Sequence, residues 1–83
     1  MDMNQLVKMA NQIEAFFRTE PDPDAAVAGI ENHIRRYWEP RMRREIIQHC
    51  AAGGAGLGEL ARRAIAKLPP PAPAPSAPPA AAS

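Results

Sequence analysis

Seven of the ten prolines in this 83-residue chain fall within residues 69–83, where the only other residues are alanine and serine. Proline lacks an amide donor and its ring blocks the preceding helical turn. A folded domain therefore has to come from residues 1–68, with residues 69–83 as a polyproline-like or disordered tail. A domain that small buries only about 60% of its unfolded surface and is marginal by itself. Disulfides, a metal or association with another chain commonly offset that deficit. The single cysteine, Cys50, excludes an internal disulfide. Cys50, His49 and His33 are the only Cys and His residues, too few for a clustered metal site. Association with another chain is the compensation left.

Four helices are expected in residues 1–68. Met3, Leu6, Met9, Ala10, Ile13, Phe16 and Phe17 recur at helical spacing over residues 3–18, with Asp2 as N-cap. Glu20-Pro21-Asp22-Pro23-Asp24 is a break and restart: Asp22 suits an N-cap, Pro23 the first helical position and Asp24 an acidic first turn. The second helix is expected over residues 23–38, with Val27, Ile30, Ile34, Tyr37 and Trp38 on its apolar face. Pro40 ends it and opens a third helix to about Ala52, where Met42, Ile46, His49 and Cys50 form a stripe and Ile47 lies off its centre. Gly53-Gly54-Ala55-Gly56 reads as a turn. A fourth helix over residues 57–68 places Leu57, Leu60, Ala61, Ala64, Ile65 and Leu68 on one face. The fold class is all-α, a small bundle of about four short helices.

Few chemistries fit this chain. His49 and Cys50 are adjacent, so on a helix their side chains diverge by about 100°. The glycine turn follows a helix rather than a strand and contains no lysine, unlike a phosphate loop. The nine carboxylates are scattered along the chain. No catalytic, cofactor-binding or metal-ligating residue is assigned. No segment reaches the roughly 18 apolar residues of a membrane span, and Met1–Lys8 does not read as a signal peptide. The expectation is a cytoplasmic protein without membrane contact.

The unusual feature is the segment from His33 to Glu45. It holds five arginines, no lysine, and two of the chain's four aromatic residues, Tyr37 and Trp38. Residues 1–24 carry five acids and two bases, net −3, whereas residues 25–68 carry eight bases and four acids, net +4. Three readings compete for the segment. It is a solvated helical face, a nucleic-acid surface, or a protein docking surface in which arginines pair with carboxylates bidentately. Solvated faces usually mix Lys with Glu. Glu39, Glu45 and a net charge of +1 weaken the nucleic-acid reading. Arg, Trp and Tyr are the types enriched at interface hot spots, and docking leads. The candidate interface is His33, Arg35, Arg36, Trp38, Glu39, Arg41, Arg43 and Arg44, with Ile47 as a further contact. The alternatives are an Arg-rich helical nucleic-acid-binding module and a self-associating homodimer.

Met3-Asn4-Gln5-Leu6-Val7-Lys8-Met9-Ala10-Asn11-Gln12-Ile13 followed by Phe16-Phe17 resembles the start of the delta subunit of NAD-dependent, molybdenum-containing formate dehydrogenase. Asn32-His33-Ile34-Arg35-Arg36-Tyr37-Trp38-Glu39-Pro40-Arg41-Met42-Arg43 and the Gly53–Leu57 turn are similar to that family as well. The resemblance covers residues 1–68 and leaves the tail outside. It implies a small cofactor-free subunit, without catalytic residues, that supports assembly or stability of a cytoplasmic complex by docking on the catalytic alpha subunit. The complex, which also contains beta and gamma subunits, oxidises formate to CO2 and reduces NAD+. The resemblance further implies that the other subunits carry a molybdenum or tungsten cofactor, iron–sulfur clusters and FMN.

Overall fold

In a computed structural model, which describes residues 2–69, the chain forms four helices: α1 (Met3–Phe17), α2 (Pro23–Tyr37), α3 (Pro40–Ala51) and α4 (Glu59–Lys67). The remainder of the Pro/Ala-rich segment lies outside the described residues. Local chemistry starts the first three helices. The Asp2 carboxylate accepts from the Gln5 amide at 2.8 Å, and Asp22 accepts from the Asp24 amide at 3.1 Å. Both satisfy amides that the first turn leaves without intrahelical partners. Pro23 and Pro40 occupy the openings of α2 and α3, where a missing N–H costs nothing.

The end of α3 is closed by the glycine turn. The Gly54 amide donates to the His49 carbonyl at 2.9 Å, and Gly53 donates to Cys50 at 3.1 Å. Gly54 has φ +66°, a left-handed conformation that a side chain disfavours. His49 is not a core residue. Its Nε2 lies 2.8 Å from the Ala55 carbonyl and so ties α3 to the same turn.

Leu6, Ala10, Val27, Ile30, Ile34, Ile46, Ala61, Ala64 and Ile65 are fully buried, and Trp38 and Leu68 nearly so. Met42, Ile47, Cys50, Leu57 and Leu60 pack against them while remaining half-buried. Two aromatics assigned to apolar faces are outside. Phe16 is 76% exposed and Tyr37 is 69% exposed. Phe16 and Phe17 are neighbours about 100° apart on α1, so only one can turn inward. The half-buried Phe17 does so, filling the space that Gly29 leaves open on α2. Tyr37 is displaced because Trp38 leaves the helix, with φ −88° and ψ 140°, and takes the inward position itself.

α4 begins two residues later than its apolar pattern suggests, because its start is set by α1. The Gly58 amide donates to Asn11 Oδ1 at 2.9 Å, and the Ala61 amide donates to Glu14 Oε1 at 2.8 Å. Asn11 also donates to the Gly56 carbonyl at 2.9 Å. Glu14 is the one buried charged residue among those described, and its other oxygen is 3.0 Å from Arg18. A carboxylate at a helix N-terminus is favoured by the orphan amides and by the helix dipole. A side chain at Gly58 would collide with this carboxylate, so the close approach requires glycine. The contacts Val7–Gly56, Asn11–Gly58 and Glu14–Ala61 advance together, so the chain that leads into α4 follows the direction of α1.

Glu14→Ala should lower unfolding stability by about 2 kcal/mol, the loss of a buried cap, and Glu14→Gln by less because it retains an acceptor. Urea denaturation checks the magnitude. Amide exchange at Ala61 should accelerate first.

Candidate docking surface

The α2–α3 joint is built from Trp38, Glu39 and Pro40. The Trp38 amide still donates to the Ile34 carbonyl at 3.0 Å, but its backbone has turned extended. Glu39 is extended too, as a residue before proline prefers, and its carbonyl accepts from the Arg43 amide at 3.0 Å. The indole is only 5% exposed and belongs to the core at the joint.

Arg43 has an internal task. Its Nη1 donates to the Trp38 carbonyl at 2.8 Å and to the Arg35 carbonyl at 3.0 Å. These carbonyls belong to the last turn of α2, where acceptors lack helical partners and positive charge is favoured. Arg43 therefore fastens α3 to the end of α2.

The other arginines divide among several directions. Arg35 lies 3.6 Å from Glu31, and Arg41 lies 3.5 Å from Glu45. In both pairs an exposed arginine meets a half-buried glutamate one turn away, and such pairs at a surface contribute little to stability. Arg36 and Arg44 are exposed, and among the described residues neither has a carboxylate within ion-pair distance. Arg36 follows His33 by three residues and Gly29 by seven, so it shares their side of α2. Glu39 is exposed at the joint. Ile47 is half-buried and, with Cys50, Ala51, Ile65 and Ala66, lines a shallow apolar hollow between α3 and α4. The segment is thus several surfaces around a corner.

The structure adds a feature that the Arg/Trp pattern does not contain. An open groove of about 380 Å³ lies between α1 and α2. Met9, Gln12, Ile13, Phe16 and Phe17 line it from α1, and His33 and Trp38 complete it. The rings of Phe16 and Phe17 meet edge-to-face at 5.1 Å. The His33 ring lies 4.9 Å from the exposed Tyr37 ring and is tilted 46° to it. Among the described residues, no group of three or more His, Cys, Asp or Glu is placed to hold a metal ion. No described helix is long and apolar enough to cross a membrane.

The family model of the NADH-dependent formate dehydrogenase delta subunit, FdsD, matches residues 5–65. The chain belongs to this family. A search of curated proteins and a search of solved structures each found no match. The FdsD match runs from α1 into α4 and contains the whole of α2, the joint and α3. Residues 66–83, and with them the Pro/Ala-rich segment, fall outside it. Phe16 and Tyr37 had one detectable sign: Phe16-Phe17 and Tyr37-Trp38 are consecutive large aromatics, and a helix with one buried face has room for one of each pair.

Arg43→Ala should lower stability by about 1–2 kcal/mol, since it strips charge-assisted donors from the end of α2 in a partly exposed setting. The loss should appear in the urea midpoint. Trp38 fluorescence should shift to longer wavelength as the joint loosens.

Proposed function

We propose that this chain is a non-catalytic delta subunit that supports assembly or stability of a cytoplasmic NAD-dependent formate dehydrogenase complex by docking on its catalytic alpha subunit. Beta and gamma subunits complete the assembly, and formate oxidation and NAD+ reduction take place on those other chains. The molybdenum or tungsten cofactor, iron–sulfur clusters and FMN belong to them as well. Membership of the FdsD family supports the complex as the setting. The observation that carries the docking role is an exposed Tyr37, its ring against His33, on the same helix as an exposed Arg36 that has no carboxylate within ion-pair distance among the described residues. An aromatic ring held outside a well-packed core beside an uncompensated guanidinium is the composition of an interface anchor. Arg44, on α3, is exposed and without an ion-pair partner among the described residues, and offers a second guanidinium to a partner's carboxylate. Because Arg35 and Arg41 already face carboxylates of this chain, the segment is poorly matched to a phosphate backbone and better matched to a protein surface.

Co-purification of tagged chain from cell extract tests this reading. The wild type should bring down a large metal- and flavin-containing complex with formate:NAD+ activity. Arg36→Ala and Tyr37→Ala should each weaken that association by about 30-fold, the equivalent of losing a 2 kcal/mol anchor. Their circular dichroism should match wild type, since both side chains are exposed. Undiminished association of both variants would place the interface elsewhere.

A further inference from the structure

We propose that the aromatic groove between α1 and α2 receives an amphipathic helix of the partner subunit, one that carries carboxylates on both sides of its apolar stripe. The proposal rests on the docking role of the chain and specifies the chemistry of the segment that docks.

The groove itself calls for apolar side chains. Phe16 is 76% exposed, and Met9, Ile13 and Phe17 are half-buried beside it. Trp38 completes the lining from the joint. Large apolar groups left open to water along one side of a helix mark a surface that another element covers.

Backbone chemistry selects a helix as the occupant. Met9, Gln12 and Ile13 lie inside α1 and His33 lies inside α2, where amides and carbonyls bond along their own helices. The polar side chains at the groove wall are those of Gln12 and His33. An extended segment would bring N–H and C=O groups against walls with few partners for them. A helix satisfies its own backbone and lays an apolar face in such a groove.

Charge selects what flanks that face. Lys8 precedes Gln12 by one turn on α1, and Arg36 follows His33 by one turn on α2. Both are exposed, and among the described residues neither has a carboxylate within ion-pair distance. No carboxylate among the described residues lines the groove, and the acids next to its lining in sequence, Glu20 and Glu39, follow the ends of α1 and α2. An uncharged groove between two cationic rims is the complement of an apolar stripe flanked by Asp or Glu. A second copy of this chain is a poor match. Its α3 and α4 leave Arg41, Arg44, Arg62, Arg63 and Lys67 exposed, so like charges would meet at the rims.

Photocross-linking in the assembled complex tests this. With p-benzoylphenylalanine in place of Phe16, mass spectrometry of the cross-linked peptide should find one segment of another subunit. That segment should carry apolar residues at helical spacing, with Asp or Glu on both sides of them. The same probe in place of Tyr37 reports docking independently of the groove. A cross-link from Tyr37 with none from Phe16 would overturn the groove inference and leave the docking role standing, whereas none from either would remove both. Lys8→Glu should weaken association about fivefold at low ionic strength, with the difference shrinking as salt rises. Its circular dichroism should match wild type, because Lys8 is exposed. Association indifferent to Lys8→Glu would also overturn the proposal, as would a Phe16 cross-link to a basic segment, to the same chain or to a second copy.

Discussion

The Glu14 carboxylate governs how the fourth helix joins this bundle. α4 is nine residues long, too short to persist by itself in water, and its first turn has no capping side chain of its own. Glu14 provides the missing acceptor from across the core, and Asn11 holds the residue that precedes the helix. Burying a carboxylate is unfavourable unless hydrogen bonds and compensating charge surround it. Here the Ala61 amide, the positive end of the α4 dipole and Arg18 perform that service. The same contact sets the register of α4 against α1, and with it which side of α4 delivers Ala61, Ala64 and Ile65 to the core.

The α2–α3 joint uses the opposite kind of contact. There the unmet groups are carbonyls at a helix C-terminus, and the partner is a guanidinium from the next helix. Trp38 departs from helical geometry, which lets its indole turn inward beneath that clasp. One consequence reaches the surface. With the tryptophan filling the inward position, Tyr37 is carried outside and rests against His33. An aromatic surface therefore arises from the way the core is closed, and Arg36 stands beside it on the same side of α2 as His33.

This coupling gives a small domain an exposed aromatic and basic surface next to its α2–α3 joint. The arginines of the joint are not equivalent: Arg43 is part of the fold, Arg35 and Arg41 face carboxylates one turn away, and Arg36 and Arg44 are free among the described residues. A charge count over the segment treats all five alike. Their different surroundings separate the guanidinium that holds the fold together from those that lie at the surface.

Much of the fold is legible in the residue order. Asp2, Asp22, Pro23 and Pro40 specify where three helices begin, because each acts on the backbone within a few residues. The glycines that end α3 act locally as well, and Leu6, Val27, Ile30, Ile34, Ile46 and Ile65 are core residues on periodicity alone. The FdsD likeness is also carried by residue order. Phe16, Tyr37 and the start of α4 could not be read this way. Period alone cannot decide which of two adjacent aromatics turns inward; that depends on the space left by Gly29 and by the turn at Trp38. Nor does a glutamate in the middle of α1 announce itself as a cap for a helix 47 residues away. Local capping and periodicity were determined by the sequence itself. The cap on α4, the clasp at the joint and the aromatic groove were decided only by the tertiary structure, because each joins groups from different helices that meet once the core has closed.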